Sequence, residues 1–170
     1  MIVLGMDLSI ACPGFAVGKI ENGQVELLHV SHLKTSPDDP HGKRLRKIFD
    51  HIESILESEK IQVVAREKAI PAGGGRGYGY VAQMQTIMVL NKVVGISDLA
   101  SDHYGHREIY EIAPTSLKKL LTGSGSAKKK EVQAAVQTFL TKPVKFKNTD
   151  ESDAAAVVVG YGIEKGLLVV

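Results

Sequence analysis

The sequence predicts a mixed α/β sheet of five strands with helices on both faces. Three observations carry this. Short apolar runs near the N-terminus are separated by turn signals. From residue 38 the apolar spacing changes to threes and fours, and strand-like and helix-like segments then alternate to the end.

Residues 2–8 and "FAVGKI" (15–20) are short, mostly apolar runs, and "PG" at 13–14 predicts a tight turn between them. "NG" at 22–23 is a hairpin signal that leads into "QVELLHVSHL" (24–33), giving three sequential antiparallel strands. In "DDPHGKRLRKIFDHIESILESEK" the residues Leu45, Ile48, Phe49, Ile52, Ile55 and Leu56 share one helical face. "IQVVAREKAI" (61–70) is a fourth strand, followed by the glycine-rich "AGGGRGYG". The helix of "YVAQMQTIMVLNKVVGISDLA" is apolar over most of its circumference and needs cover on two sides. The sheet supplies one side, and a second copy of the chain is expected on the other. "REIYEI" (107–112) is a fifth strand. "PTSLKKLLT" starts a helix with an early Pro114, "AKKKEVQAAVQTFL" is amphipathic through Val132, Ala135, Val136 and Phe139, and a last helix begins near Asp150.

The 170 residues suit one domain spanning 1–170, with no internal repeat or linker. No window holds the ~18 uninterrupted apolar residues of a membrane span. "MIVLGMDLS" has no basic leader and reads as a first strand. A single cysteine, Cys12, excludes an internal disulfide and points to a reducing, cytoplasmic setting. The histidines are scattered, and His103 and His106 lack a cysteine partner, which points away from zinc. Net charge is only +2, but eight lysines (118, 119, 128, 129, 130, 142, 145 and 147) lie between 118 and 147 with one acid, Glu131. Such a surface suits phosphate contact.

Four acids stand out. Asp7 lies in the first strand between Met6 and Leu8, where a carboxylate is costly without a cation or several donors. Glu67 repeats that oddity in the fourth strand. A salt bridge to Arg66 or Lys68 would explain it, but neighbouring strand residues point to opposite faces. Asp150 and Asp153 open the last helix. An aspartate N-cap and the helix dipole account for part of this, yet capping alone does not call for three acids in four residues. At a spacing of three they share a face. Glu151 reads as a solvent-side neighbour. Hard oxygen donors from three elements, without histidine or cysteine, fit Mg²⁺, with Mn²⁺ as a substitute. Two such ions ~3.5–4 Å apart can activate water and stabilise the leaving oxygen of a phosphodiester.

In order along the chain, "GMDLSIACPGFAV", "VVAREKAI", "PTSLKKLLTGSGSAKKKEV" and "DESDAAAVVV" resemble the RuvC-type Holliday-junction resolvases of the RNase H-like superfamily. The third segment is the most specific, being close to the family's Pro-x-x-x-Lys and Gly-x-Gly-x-Ala-x-Lys-x-x-Val pattern. The resemblance implies an RNase H-like sheet with Asp7 and Glu67 on adjacent strands, joined by Asp150 and Asp153 as metal-holding, catalytic acids. It implies that Lys118 and Lys129 are the catalytic basic residues near the scissile phosphate. It also implies a homodimer that nicks two strands of a four-way DNA junction symmetrically, in recombination and repair.

There are departures. Where the family often carries a junction-wedging aromatic, this chain reads Ala69, Ile70, Pro71, leaving Tyr78 or Tyr80 for that task. Arg76 in the glycine-rich loop is expected to contact phosphate, while Lys119, Lys128 and Lys130 are additional DNA-facing charges. The compact length and the spelling around Glu67 are closer to bacteriophage versions. The four acids alone would equally suit an RNase H-like nuclease acting on RNA–DNA hybrid or structured RNA. A non-catalytic junction-binding module is disfavoured, since anions facing phosphate gain it nothing. Actin-like ATPases share a first-strand aspartate but need two such domains.

Overall fold

The computed structural model describes residues 1–69, 78–106 and 108–169, and of 78–83 the backbone alone. β1 (Ile2–Asp7), β2 (Gly14–Glu21) and β3 (Gln24–His32) form an antiparallel meander. Asn22 (φ 52°) and Gly23 (φ 75°) both adopt the left-handed conformation that a tight hairpin requires. Pro13–Gly14 does not make the predicted turn. Gly14 already pairs with Asp7 as the first residue of β2, so the reversal falls within residues 8–13.

β4 (Val63–Glu67) runs parallel to β1, and β5 (Tyr110–Ile112) parallel to β4, giving the sheet order β3-β2-β1-β4-β5. Both are shorter than the sequence runs suggest. β5 finds partners only at Ala65, Arg66 and Glu67, so the ladder ends where pairing ends.

Alternation divides the sheet into two faces. Leu4, Met6, Phe15, Val17 and Val64 pack towards α1 (His41–Ser58) and α2 (Tyr78–His103). Val3, Ala16, Ala65 and Ile112 pack towards α5 (Thr149–Glu164), with α3 (Pro114–Thr122) and α4 (Lys129–Phe139) beside it. The run Ala154–Val159 is wholly buried, as expected of a helix that is apolar on every side. Of the described α2 side chains, Val93 and Ala100 are buried, whereas Met84, Met88 and Leu99 are 40%, 61% and 62% exposed.

α5 lies directly on backbone. A Cβ on Gly5 would stand 2.5 Å from the Ala154 carbonyl and 2.7 Å from Val158 Cγ2, and one on Gly14 would collide with the Asp150 carbonyl. Since the contacts on one side are main chain, neither site can relax by turning a side chain. Gly14→Ala is therefore expected to lower unfolding free energy by about 1–3 kcal/mol, read as a lower urea midpoint. Gly42→Ala, at a helical position with open space, serves as the control and should be neutral to slightly stabilising.

Candidate active site

The register that pairs Met6 with Arg66 carries Asp7 and Glu67 together to the ends of β1 and β4, both on the α5 face. Arg66 points the other way. Its guanidinium is buried and bonds Glu111 Oε1 (2.8 Å from Nη2), Ser97 Oγ (2.7 Å from Nη1) and Asp98, so it is committed to β5 and α2 rather than to Glu67.

Asn148, not an aspartate, caps α5, its Oδ1 accepting from the Glu151 N–H at 3.0 Å. Asp150 and Asp153 are thus released from capping. Asp7, Glu67 and Asp153 line one pocket of ≈ 290 Å³ with Lys118 and Lys129, over a floor of Leu117, Val132 and Ala156. Lys118 comes from α3, whose first turn is set by Pro114 and whose end is set by Gly123 in the left-handed conformation. Lys129 opens α4, where Glu131 Oε2 accepts from the Lys128 N–H at 2.6 Å. Asp150 stands beside the pocket. Its charge reaches Asp7 and also the Cys12 thiol, which burial and then Asp150 push above its ordinary value.

Placement sets the electrostatics. Burial, then the charges of Glu67, Asp153 and Asp150, push the Asp7 carboxyl up to about 7, with Lys129 opposing. Glu67 is also raised, by burial and then by Asp153, against Lys118 and Lys129. Lys129 Nζ donates to Asp153 Oδ2 at 2.8 Å, and that bond raises the lysine further.

The site thus holds more negative charge than its lysines offset. Its donors are carboxylates, as a hard divalent cation requires. Among the described residues no three side chains of His, Cys, Asp or Glu are grouped closely enough to hold a metal ion as they stand.

Other expected residues fall elsewhere. Lys119, Lys128 and Lys130 do not line the acid pocket. Arg76 lies outside the described residues, as do Ile70, Pro71 and the side chains of Tyr78 and Tyr80. Glu151 is not solvent-side. It is 3% exposed, because its carboxylate bonds His32 Nδ1 at 2.8 Å and accepts from the Lys147 N–H at 2.7 Å. Sequence reasoning missed His32 and gave Cys12 no place near the site, although the Asn148-x-x-Glu151 spacing is a capping signal that marks Glu151 as something other than a ligand.

The family profile described as "Crossover junction endodeoxyribonuclease RuvC" matches residues 3–161. The chain belongs to the RuvC family. RuvC of Alkaliphilus metalliredigens is 29% identical over 159 residues, spanning 94% of this chain and 91% of that one. RuvC of Treponema denticola is 30% identical over 164 residues, spanning 96% and 84%. Thermus thermophilus RuvC superposes with a TM-score of 0.82 at 24% identity, over 98% of this chain and 96% of that one. The same RuvC in complex with Holliday junction substrate gives 0.83 at 24% identity, over 97% and 94%. These likenesses show a shared fold, the RNase H-like mixed sheet with helices on both faces.

A raised native carboxyl pKa favours folding at low pH, and that contribution is lost as pH rises from about 4, the unfolded value, through about 7, the folded one. In chelator, Asp7→Asn should therefore raise the melting temperature at pH 8. The gain should be at most about 4 kcal/mol for a shift of roughly three units, and it should shrink towards zero near pH 4. Melting curves across that range are the measurement.

Proposed function

We propose that this chain is a homodimeric, divalent-metal-dependent endodeoxyribonuclease that resolves Holliday junctions by symmetric nicking. The observation that carries the reading is one pocket in which acids from two strands and the last helix meet two lysines, in a chain of the RuvC family. The Thermus relative solved with Holliday junction substrate supports the choice of DNA.

Asp7, Glu67, Asp150 and Asp153 would hold Mg²⁺, with Mn²⁺ as a substitute and two ions per site, and the metal would supply positive charge for water activation and for the leaving oxygen. Around it, the protein's own groups position and neutralise. Lys129 gives up Asp153 and turns to the scissile phosphate, where with Lys118 it offsets the charge that develops on the phosphoryl oxygens. The apolar floor of Leu117, Val132 and Ala156 limits water on one side and keeps these interactions strong. Lys119, Lys128 and Lys130 contact backbone phosphates away from the cut. Arg76 adds another such contact, and Tyr78 or Tyr80 wedges the junction, two assignments carried by sequence alone.

The exposed stripe Met84, Met88 and Leu99 follows helical spacing along α2 and suits a second copy of the chain. Two copies give the two active sites that symmetric nicking needs. The setting is cytoplasmic, in keeping with one free cysteine.

Asp7→Asn is expected to abolish cleavage of a synthetic four-way junction while leaving its binding intact, by parallel nicking and gel-shift assays. Cutting at the parent rate would remove Asp7 from the site. The parent is expected to prefer the junction over an RNA–DNA hybrid or plain duplex, with Mg²⁺ or Mn²⁺ and not with chelator. Replacing Lys128, Lys129 and Lys130 with alanine should weaken binding and flatten its salt dependence. Met88→Glu should shift the protein from dimer to monomer in light scattering.

A further inference from the structure

Glu151 sits between two acids of the candidate site and serves neither as a surface charge nor as a pocket lining. On a helix, successive residues are about 100° apart, so a side chain at 151 leaves the face shared by 150 and 153. It enters the protein instead, where it meets β3. His32 Nδ1 lies 2.8 Å from Glu151 Oε1, joining segments 119 residues apart, and Oε2 accepts from the Lys147 N–H. Burial pushes this carboxyl up, but the bonds from Lys147 and His32 outweigh it and hold Glu151 below its ordinary value. The Glu151 N–H in turn bonds Asn148, whose amide reaches Cys12 Sγ at 3.6 Å. The first turn of α5 is therefore tied to β3 on one side and to the loop after β1 on the other.

That turn needs tying. The first turn of a helix lacks the full set of intrahelical bonds, and here it carries Asp150, whose charge is repelled by Asp7. We propose that Glu151 and His32 form a positioning pair which holds the first turn of α5 against this repulsion and so sets the affinity of the acid site for its divalent cation. The proposal rests on the nuclease reading. Glu151 touches no reacting atom and acts only through the placement of Asp150 and Asp153.

The test is Mn²⁺ binding to the DNA-free dimer, by calorimetry or by loss of the free-ion electron paramagnetic resonance signal, with junction affinity measured in chelator alongside. Glu151→Ala and His32→Ala should each weaken Mn²⁺ binding by about tenfold or more, the scale of losing an outer support of a metal ligand. Junction affinity in chelator should stay at the parent value. Glu151→Gln should restore most of the loss, because its amide oxygen can accept from Lys147 while its nitrogen donates to His32. The double alanine variant should be no weaker than the worse single one, since the two residues act as a unit.

Parent-like Mn²⁺ affinity in a folded Glu151→Ala protein would overturn the pairing, as would a glutamine variant no better than alanine or strictly additive losses. If Glu151→Ala does not fold, His32→Ala and Glu151→Gln carry the same comparison. A parent protein that binds no Mn²⁺ would sink the nuclease reading itself, an outcome distinct from the others.

Discussion

Side chains ordinarily separate a helix from the sheet it covers. At Gly5 and Gly14 they are missing, and α5 rests on the main chain of β1 and β2. Most of the molecule is ordered around this contact. Gly14 pairs with Asp7 in the sheet and touches the Asp150 backbone across the layer, so one residue fixes the separation between two acids. The same close approach demands a helix built from small and β-branched residues, and Ala154–Val159 supplies one. The glycine contacts with Asp150, Ala154 and Val158, all on one face, then fix α5 in rotation, and Asp153 lines the pocket together with Asp7 and Glu67 from β1 and β4.

Electrostatic balance is arranged on both faces of the sheet. Residues 66 and 67 are neighbours with opposite tasks. Arg66 is spent inside the α2 layer, where Asp98, Ser97 and Glu111 satisfy it and tie strand to helix. Glu67 faces α5 among other anions, and its raised pKa records the cost. Lys118 and then Lys129, from two separate helices, reduce that cost. A buried cation on one face and a cluster of anions on the other, one peptide apart, is a division that strand alternation makes possible.

Those parts of this arrangement that are local were legible in the sequence. The Asn22–Gly23 hairpin, the helical face of α1 and the Pro114 start of α3 each depend on neighbours a few residues away. The acids were legible for a different reason: a carboxylate within an apolar strand is costly enough to require an explanation. Features that depend on distant partners were not legible. Glu151 reads as exposed because nothing near it in the chain discloses His32. The attachment of Asn148 to Cys12 is hidden in the same way, because the two segments lie near opposite ends of the chain. The lengths of β4 and β5 are set by pairing, and no composition within either segment encodes where the partner stops. The turn before β2 was misplaced because Pro13–Gly14 satisfies a turn rule, while the real demand on Gly14 is steric and comes from α5.

The excess of acid over lysine in the pocket has a thermodynamic corollary. An anionic polymer approaching such a surface meets repulsion at the very place where it is to be cut, so on the nuclease reading cation and DNA cannot occupy it independently. Each must tighten the other by the same factor, because coupling between two ligands at equilibrium is reciprocal. A junction held elsewhere by the protein's basic surface would raise the site's hold on its ion, and an ion-free protein would grip the arms while leaving the central phosphate poorly seated. Grip and scission are then separable by cation supply alone.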